Sequence, residues 1–317
     1  MASLIGLIQN ENMKIYRRVG TWVMIGLLIL ATVAGAILSS KLGNNNKNSD
    51  WKTELSATTK QLEADVANPD IPKAFKKMQE KQLEINKYRL EHNIAPLEGS
   101  TLWGYTLDAA EIITFITLFT VIVAAGSVAS EFSWGTIKLL LIRPASRGKI
   151  LLAKYISTIL FALFLLVVLL LTSMLIGGIV YGFGHLNLPH LAYSSGKVVE
   201  VSMLSHILSI YGLNSIQLIM MVTFAFMISS VFRSSSLAIG LAIFLMFMGS
   251  QLTHLISMKF DWAKYILFAN MDLTQYIDGV PLVEGMTMTF SIIMLIIYFI
   301  GFNALSWIIF RKRDIAA

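Results

Sequence analysis

The chain has 317 residues, of which 56% are hydrophobic and only 14% are charged, with a net charge of +6 at pH 7. A soluble globular domain carries about a quarter charged residues, so this composition excludes an ordinary soluble protein. The absence of cysteine from the sequence excludes disulfides and thiolate metal sites. The excess positive charge lies beside apolar runs, where it orients membrane spans rather than binding nucleic acid.

The first residues mix apolar and polar side chains over 3–19, a pattern typical of an amphipathic helix on a membrane surface. A solvated tail is the alternative. Residues 20–40 form an uncharged run of spanning length. Lys14, Arg17 and Arg18 predict that this span starts in the cytoplasm. Its far end lacks a good signal-peptidase site, so we expect the span to be retained.

Residues 42–104 change character, with nine basic and nine acidic residues. Polar segments over 50–66 and 72–92 predict two helices with only a thin apolar stripe, and therefore an extracytoplasmic helical hairpin rather than a core-forming domain. The hairpin could contact a cargo or a partner. A solvated spacer is the interpretation that the pattern favours.

Five further apolar runs predict the remaining spans, at 106–128, 150–181, 206–232, 237–257 and 287–309. Twelve cations fall at the ends assigned to the cytoplasm, against three in the two short outer loops. The apolar runs predict an all-α integral membrane protein of the cell membrane, and the positive-inside rule predicts its orientation. It would form one transmembrane domain over 1–317, with six transmembrane helices and both termini cytoplasmic.

Four polar residues within the predicted spans are candidates to line a pathway. They are Asp108, Glu111, Asn214 and Gln217. Acids in spans are functional candidates by default. A helix-start role for the acids and interhelical hydrogen bonds for the amides are the plainer alternatives. His185 and His190 lie in a loop expected to be irregular, and their spacing does not favour a metal site.

The segment 129–154 lies between spans two and three and is dense in cations. Apolar residues recur at helical spacing, which predicts a short amphipathic helix over 132–142. Arg143-Pro144 ends this helix, because proline disfavours helical geometry at the residue before it. On this pattern alone, a loop that only sets orientation remains an equal alternative.

The order of residues in this segment, from Glu131 through Gly135-Thr136 and Arg143-Pro144 to Arg147 and Lys154, resembles the cytoplasmic loop of permease subunits of ABC exporters of the second type. The inner turn 227–240, the segment 265–276 and the C-terminal PheArgLysArgAspIle are also similar to that family. The resemblance covers nearly the whole chain except 42–104.

The resemblance implies that 132–142 is a coupling helix that docks on a separate ATPase. The residues that it assigns to this contact are Glu131, Phe132, Trp134, Gly135, Thr136, Lys138, Arg143, Pro144 and Arg147. It further implies a second permease subunit, identical or related, and ATP and magnesium bound on the ATPase. The expected cargo is an amphiphilic or peptide-like compound, such as an antibiotic.

Motifs for catalysis are missing from the sequence. No GxxxxGK[ST], HExxH or GxSxG occurs, so we expect no enzyme activity, no cofactor and no metal on this chain. Two other classes stay open. One is an ATP-independent channel or secondary transporter, although no charge falls near a span's centre. The other is a sensory membrane protein that uses the 42–104 hairpin as its receptor.

Overall fold

The computed structural model describes residues 3–42, 51–68, 73–136, 145–184, 186–194, 196–277 and 279–312. Helices dominate these ranges. They are α1 (Leu4–Tyr16), α2 (Val19–Leu42), α3 (Trp51–Ala67), α4 (Lys73–His92), α5 (Leu102–Asp108), α6 (Ile113–Ser133), α7 (Arg147–Tyr181), α8 (Met203–Val231), α9 (Ser235–Ser257), α10 (Leu267–Met271) and α11 (Met288–Lys312). Short 3₁₀ turns occupy Ala109–Ile112, Asp261–Tyr265 and Thr274–Tyr276.

Six helical segments in the described ranges are long and apolar enough to cross a membrane, and each matches a predicted span. The second segment is longer than predicted, because it runs from Leu102 to Ser133 rather than from 106 to 128. Its start is capped by Thr101, whose side chain accepts a hydrogen bond from the Gly104 amide. The predicted all-α core with six long apolar helices is therefore confirmed.

The centre of the bundle is α6, which packs against α7, α8 and α9. Its contact with α8 is close, since Ala124, Ala125 and Ala129 are fully buried there. Small residues let two helix backbones approach in this way. The hydroxyl oxygen of Ser229 on α8 accepts hydrogen bonds from the Val128 and Ala129 amides, both at 3.0 Å. The last turns of α6 are therefore anchored to α8.

Tyrosine hydroxyls join the helices at the opposite end of the bundle from α1. Tyr211 on α8 donates to the Thr106 carbonyl at 3.1 Å, and Tyr181 on α7 donates to the Ala36 carbonyl at 3.2 Å. Tyr105 on α5 donates to the Thr32 carbonyl on α2. These bonds connect four of the six long helices.

A two-stranded antiparallel hairpin follows α7, where the sequence predicted an irregular loop. Its strands are β1 (His190–Ser194) and β2 (Lys197–Val201), with His190 opposite Val201. Gly196 between them has φ +82°, a backbone conformation that favours glycine. The alternation in these strands is too short to separate from a polar loop by pattern alone, which is why it was missed.

Both polar helices predicted over 50–66 and 72–92 are present as α3 and α4, which carry an ion pair between Lys87 and Glu63 at 3.0 Å. The structure adds one contact that the sequence did not predict, because α4 packs on both strands of the β-hairpin. Tyr88 donates to Glu200 on β2 at 3.2 Å, and Lys81 donates to the Ile277 carbonyl. The segment between spans one and two thus contacts the segments that follow spans three and five.

Candidate functional site

Four charged side chains from three helices form a closed ion-pair ring at the α1 end of the bundle. The ring consists of Glu11 and Lys14 on α1, Glu131 on α6 and Lys154 on α7. Lys154 Nζ lies 2.9 Å from Glu11 Oε2 and 2.8 Å from Glu131 Oε1. Lys14 Nζ lies 2.6 Å from Glu11 Oε1 and 3.4 Å from Glu131 Oε1. Each lysine therefore contacts both carboxylates.

The ring is well shielded from solvent, since the Lys154 side chain is only 4% exposed and the two carboxylates are mostly covered. Burial by itself raises the pKa of Glu11, but the charge of Lys154 and hydrogen bonds from Lys14 and Lys154 outweigh it, so the pKa lies below its ordinary value of 4.5. Two positive and two negative charges balance within the ring. Such a network is costly to break, because removal of one partner leaves a buried charge uncompensated.

The amphipathic character of α1 places its two ring members. Ser3 caps the helix and accepts a hydrogen bond from the Gly6 amide at 3.1 Å. Glu11 and Lys14 are three positions apart and so share one face of α1. The same helix is held against α7 by Ser157, which donates to the Ile8 carbonyl at 3.2 Å, and by the Tyr16 ring, which meets the edge of Phe161. The predicted N-terminal amphipathic helix is thus present and docked.

The other two ring members flank the loop that the sequence assigned to coupling. Glu131 lies in the last turn of α6 and Lys154 in the third turn of α7, so the ring joins the chain on both sides of that loop. Gly135, with φ +70°, directs the chain out of α6. Thr136 then donates its hydroxyl hydrogen to the Glu131 carboxylate. The first residues of the loop are therefore connected to the ring.

Ser133 fixes the same end of α6 to the turn between α8 and α9. Its hydroxyl donates to the Arg233 carbonyl at 3.1 Å and accepts from the Ser235 amide at 2.9 Å. Together with Ser229, these bonds hold the end of α6 on α8 and on the turn that follows α8. A displacement of the loop would therefore be transmitted to α6, α7 and α8.

The predicted coupling residues are only partly described. Phe132 and Ser133 belong to α6, and 134–136 form a turn, so the predicted helix 132–142 does not begin at 132. The rest of that helix, with Lys138, Arg143 and Pro144, lies outside the described residues. The chain leaves the helical conformation at Gly135, which adopts a positive φ. The spacing of apolar residues in the sequence does not reveal such a backbone conformation.

Two of the predicted coupling residues lie at opposite sides of the loop and contact other helices. The Trp134 ring is 68% exposed, and the Arg18 guanidinium lies 5.9 Å from its centre. Arg147 begins α7, and its guanidinium donates to the Arg311 carbonyl at 3.4 Å. Beside it, Gly148 packs so closely on the Trp307 ring of α11 that a Cβ atom would lie 2.2 Å from the ring.

The four candidate pathway residues lie on α5, α8 and the 3₁₀ turn before α6. Asp108 and Glu111 are exposed, and Asn214 and Gln217 are half-buried. Asn214 donates to the Ile210 carbonyl of its own helix at 2.9 Å. Within the described ranges, no hydrogen bond joins the acids to the amides. The structure therefore brings these residues to the same half of the bundle without forming a preassembled cluster.

Of the two histidines that the sequence placed in the outer loop, the structure describes one. His185 lies outside the described residues. His190 stacks on His206 with ring centroids 3.5 Å apart.

Glu11 and Lys14 are members of the ion-pair ring that sequence reasoning missed, since it used Lys14 only as an orientation signal. The Glu11–Lys154 contact spans 143 positions, and no local pattern reports such a distance. The available signal was an opposite-charge pair at i,i+3 on an amphipathic helix that needs a partner for its polar face.

Comparison with known proteins places the chain in a family. Residues 73–316 match the family described as "Protein of unknown function (DUF2705)". The chain belongs to this family. It is 49% identical over 316 residues to "Uncharacterized protein YhcI" of Bacillus subtilis (strain 168), covering 99% of this chain and all of that protein. It is 32% identical over 214 residues to "Uncharacterized membrane protein YdbK" of the same organism, covering 67% of this chain and 82% of that protein.

The DUF2705 match covers α4 to the end of α11, and so includes α6 and α7 of the ring but not α1. The second relative is named as a membrane protein, and the six apolar helices of this chain agree with that name. The chain is a multi-pass membrane protein.

Proposed function

We propose that the chain is the permease subunit of an ATP-driven exporter of the ABC type, and that its α1 end faces the cytoplasm. The observation that carries the proposal is the position of the ion-pair ring. It connects both ends of the 134–146 loop, which is the segment whose residue order resembles the ATPase-contacting loop of such permeases. A loop that only set orientation would need no buried ring at its base.

In this proposal the ring is the element through which the loop acts on the helices. Lys154 contacts Glu11 and Glu131 at once, so α1, α6 and α7 move together at this end. A push on the loop by the ATPase would be transmitted as displacement of these helices. This gives Glu131 a different role from the direct ATPase contact that the sequence resemblance implied. Its carboxylate is held by lysines and Thr136 within the chain, so it positions the loop, whereas the cations of the loop would contact the partner.

The remaining parts of the exporter are what the sequence resemblance implies. ATP and magnesium would bind to the ATPase subunits, and a second permease copy or relative would complete the pathway. Asp108, Glu111, Asn214 and Gln217 are the candidate lining residues for an amphiphilic or peptide-like cargo. The exposure of the two acids supports contact with a solvated pathway, since carboxylates facing lipid are costly.

A sensory role is the second candidate, and one observation favours it. The α3–α4 hairpin contacts the β-hairpin through Tyr88 and Glu200 and contacts the Ile277 carbonyl through Lys81. A ligand bound to this assembly would therefore act on the segments after spans three and five. The two functions are separable, because only the exporter requires an ATPase at the α1 end.

Copurification of an ATPase subunit tests the proposal. The tagged chain should retain an ATP-binding protein from gently solubilised native membranes. Arg147→Ala should weaken that association without loss of expression, because it removes a cation at the end of the loop. Glu131→Ala should also weaken it, but at a cost in stability, because it breaks the buried ring. Lys197→Ala, an exposed cation on β2, is the control and should bind normally. Equal recovery of the ATPase with all three variants would count against the exporter.

A further inference from the structure

The corner between α1 and α2 carries two cations and two exposed indole rings. Arg17 and Arg18 are both exposed, and Trp22 and Trp134 are 62% and 68% exposed. The Arg18 guanidinium lies 5.9 Å from the centre of the Trp134 ring. Trp22 follows Arg18 by one helical turn. We define these four residues as the Arg–Trp corner.

The Arg–Trp corner is held rigidly by bonds to the end of α1. The Trp22 indole N–H donates to the Tyr16 carbonyl at 2.9 Å, and the Thr21 hydroxyl donates to the Ile15 carbonyl at 2.5 Å. These two carbonyls lie at the end of α1, and the Ile15 carbonyl also accepts a hydrogen bond from the Arg18 amide at 3.3 Å. The Trp22 indole and the backbone that carries the arginines are therefore fixed relative to α1.

The residues next to the Arg–Trp corner indicate its depth in the membrane. Val19 and Val23, on the first turns of the span, are 79% and 52% exposed, so the surface directly beside the corner is apolar. Tryptophan is enriched where the headgroups of a bilayer meet its hydrocarbon core. Cations at that depth attract anionic lipid, and an indole beside them fits the glycerol region. None of the ion pairs among the described residues involves Arg17 or Arg18.

We propose that the Arg–Trp corner binds the headgroup of an anionic phospholipid, with the phosphate on the two guanidinium groups and the acyl chains along Val19 and Val23. Arginine suits this ligand, because its fork of donors matches phosphate oxygens. A bound lipid would stabilise the α1–α2 junction, and through α1 it would act on the ion-pair ring. The proposal does not depend on the exporter function, since it concerns the purified chain and lipid alone.

Brominated lipids, which quench tryptophan fluorescence on contact, provide the test. The full chain is reconstituted in vesicles of equimolar phosphatidylglycerol and phosphatidylcholine, with one or the other lipid brominated. Brominated phosphatidylglycerol should quench more strongly than brominated phosphatidylcholine. Trp22→Phe combined with Trp134→Phe should remove this excess, because those two rings report it.

The arginine variants decide between a lipid site and a general surface effect. Loss of each arginine, in Arg17→Gln and Arg18→Gln, should lower the preference for phosphatidylglycerol about fivefold. Lys259→Gln removes another cation that stands over an aromatic ring, 5.8 Å from Phe260, and should leave the preference unchanged. Unchanged quenching by brominated phosphatidylcholine shows that each variant is still inserted. A preference for phosphatidylglycerol that survives both arginine substitutions would overturn the proposal and favour a protein partner at this corner. An equal loss of the preference in Lys259→Gln would also overturn it, because the effect would then be a general one of surface charge.

Discussion

Lys154 Nζ lies 2.9 Å from Glu11 Oε2, although 143 positions separate the two residues in the sequence. The contact connects the N-terminal helix to the third long helix. The same ammonium group lies 2.8 Å from Glu131 at the end of the second span. One nearly buried lysine therefore holds three helices together.

Substitution of this lysine should destabilise the protein strongly. Lys154→Met leaves two mostly buried carboxylates with only Lys14 as a counter-charge, and loss of one partner from a buried network costs roughly 3–5 kcal/mol. Denaturant unfolding in detergent micelles measures the effect. Lys149→Met, in the first turn of the same helix, removes an exposed cation and should change stability little. Equal effects of the two variants would show that the ring contributes no stability.

The Glu11 carboxylate should make stability depend on pH in the acidic range. Its pKa in the folded protein lies below the ordinary value of 4.5, because Lys154 and Lys14 favour the charged form. Its stabilising contribution is therefore complete above pH 4.5 and is lost as pH falls through the lower folded-state pKa. Thermal unfolding of Glu11→Gln should thus differ from that of the wild type at neutral pH. The difference should shrink as the pH falls below 4.5. A constant difference across that range would contradict the assignment.

The close approach of α7 and α11 gives a third prediction. A Cβ atom on Gly148 would lie 2.2 Å from the Trp307 ring, so Gly148→Ala should cost about 1–3 kcal/mol through overpacking. Gly240→Ala is the matched control, since nothing lies within 4 Å of its added methyl group and alanine favours a helix. Unfolding in micelles should separate the two variants. Identical behaviour would mean that the ring moves aside without cost.

The spans could be predicted from sequence because their signal is local, whereas the ring could not. An uncharged run of about twenty residues identifies a span by itself. The start of the second span was placed too late because Trp103 and Tyr105 are aromatic residues near polar ones, and their burial becomes visible only in the fold. The β-hairpin was missed for a similar reason. Glu11 and Lys154 carry no pattern that links them, because only packing of α1 on α7 brings them together.

Orientation across the membrane is a prediction that single cysteines can test directly, because the chain has none of its own. Lys60 on α3 and Lys149 on α7 are both exposed, so a cysteine at either position should be reactive when reagent reaches it. The cation asymmetry predicts that Lys60→Cys reacts with an impermeant thiol reagent in intact cells and that Lys149→Cys reacts only after permeabilisation. The opposite labelling would reverse the orientation.

The central claim is that this chain transmits the work of an ATPase, and the hydrolysis of ATP by its purified assembly tests that claim most directly. The wild-type chain purified with its natural partners should hydrolyse ATP, and the chain stripped of those partners should not, because it has no P-loop. The account would be contradicted by a native assembly that hydrolyses no ATP above an unrelated tagged membrane protein.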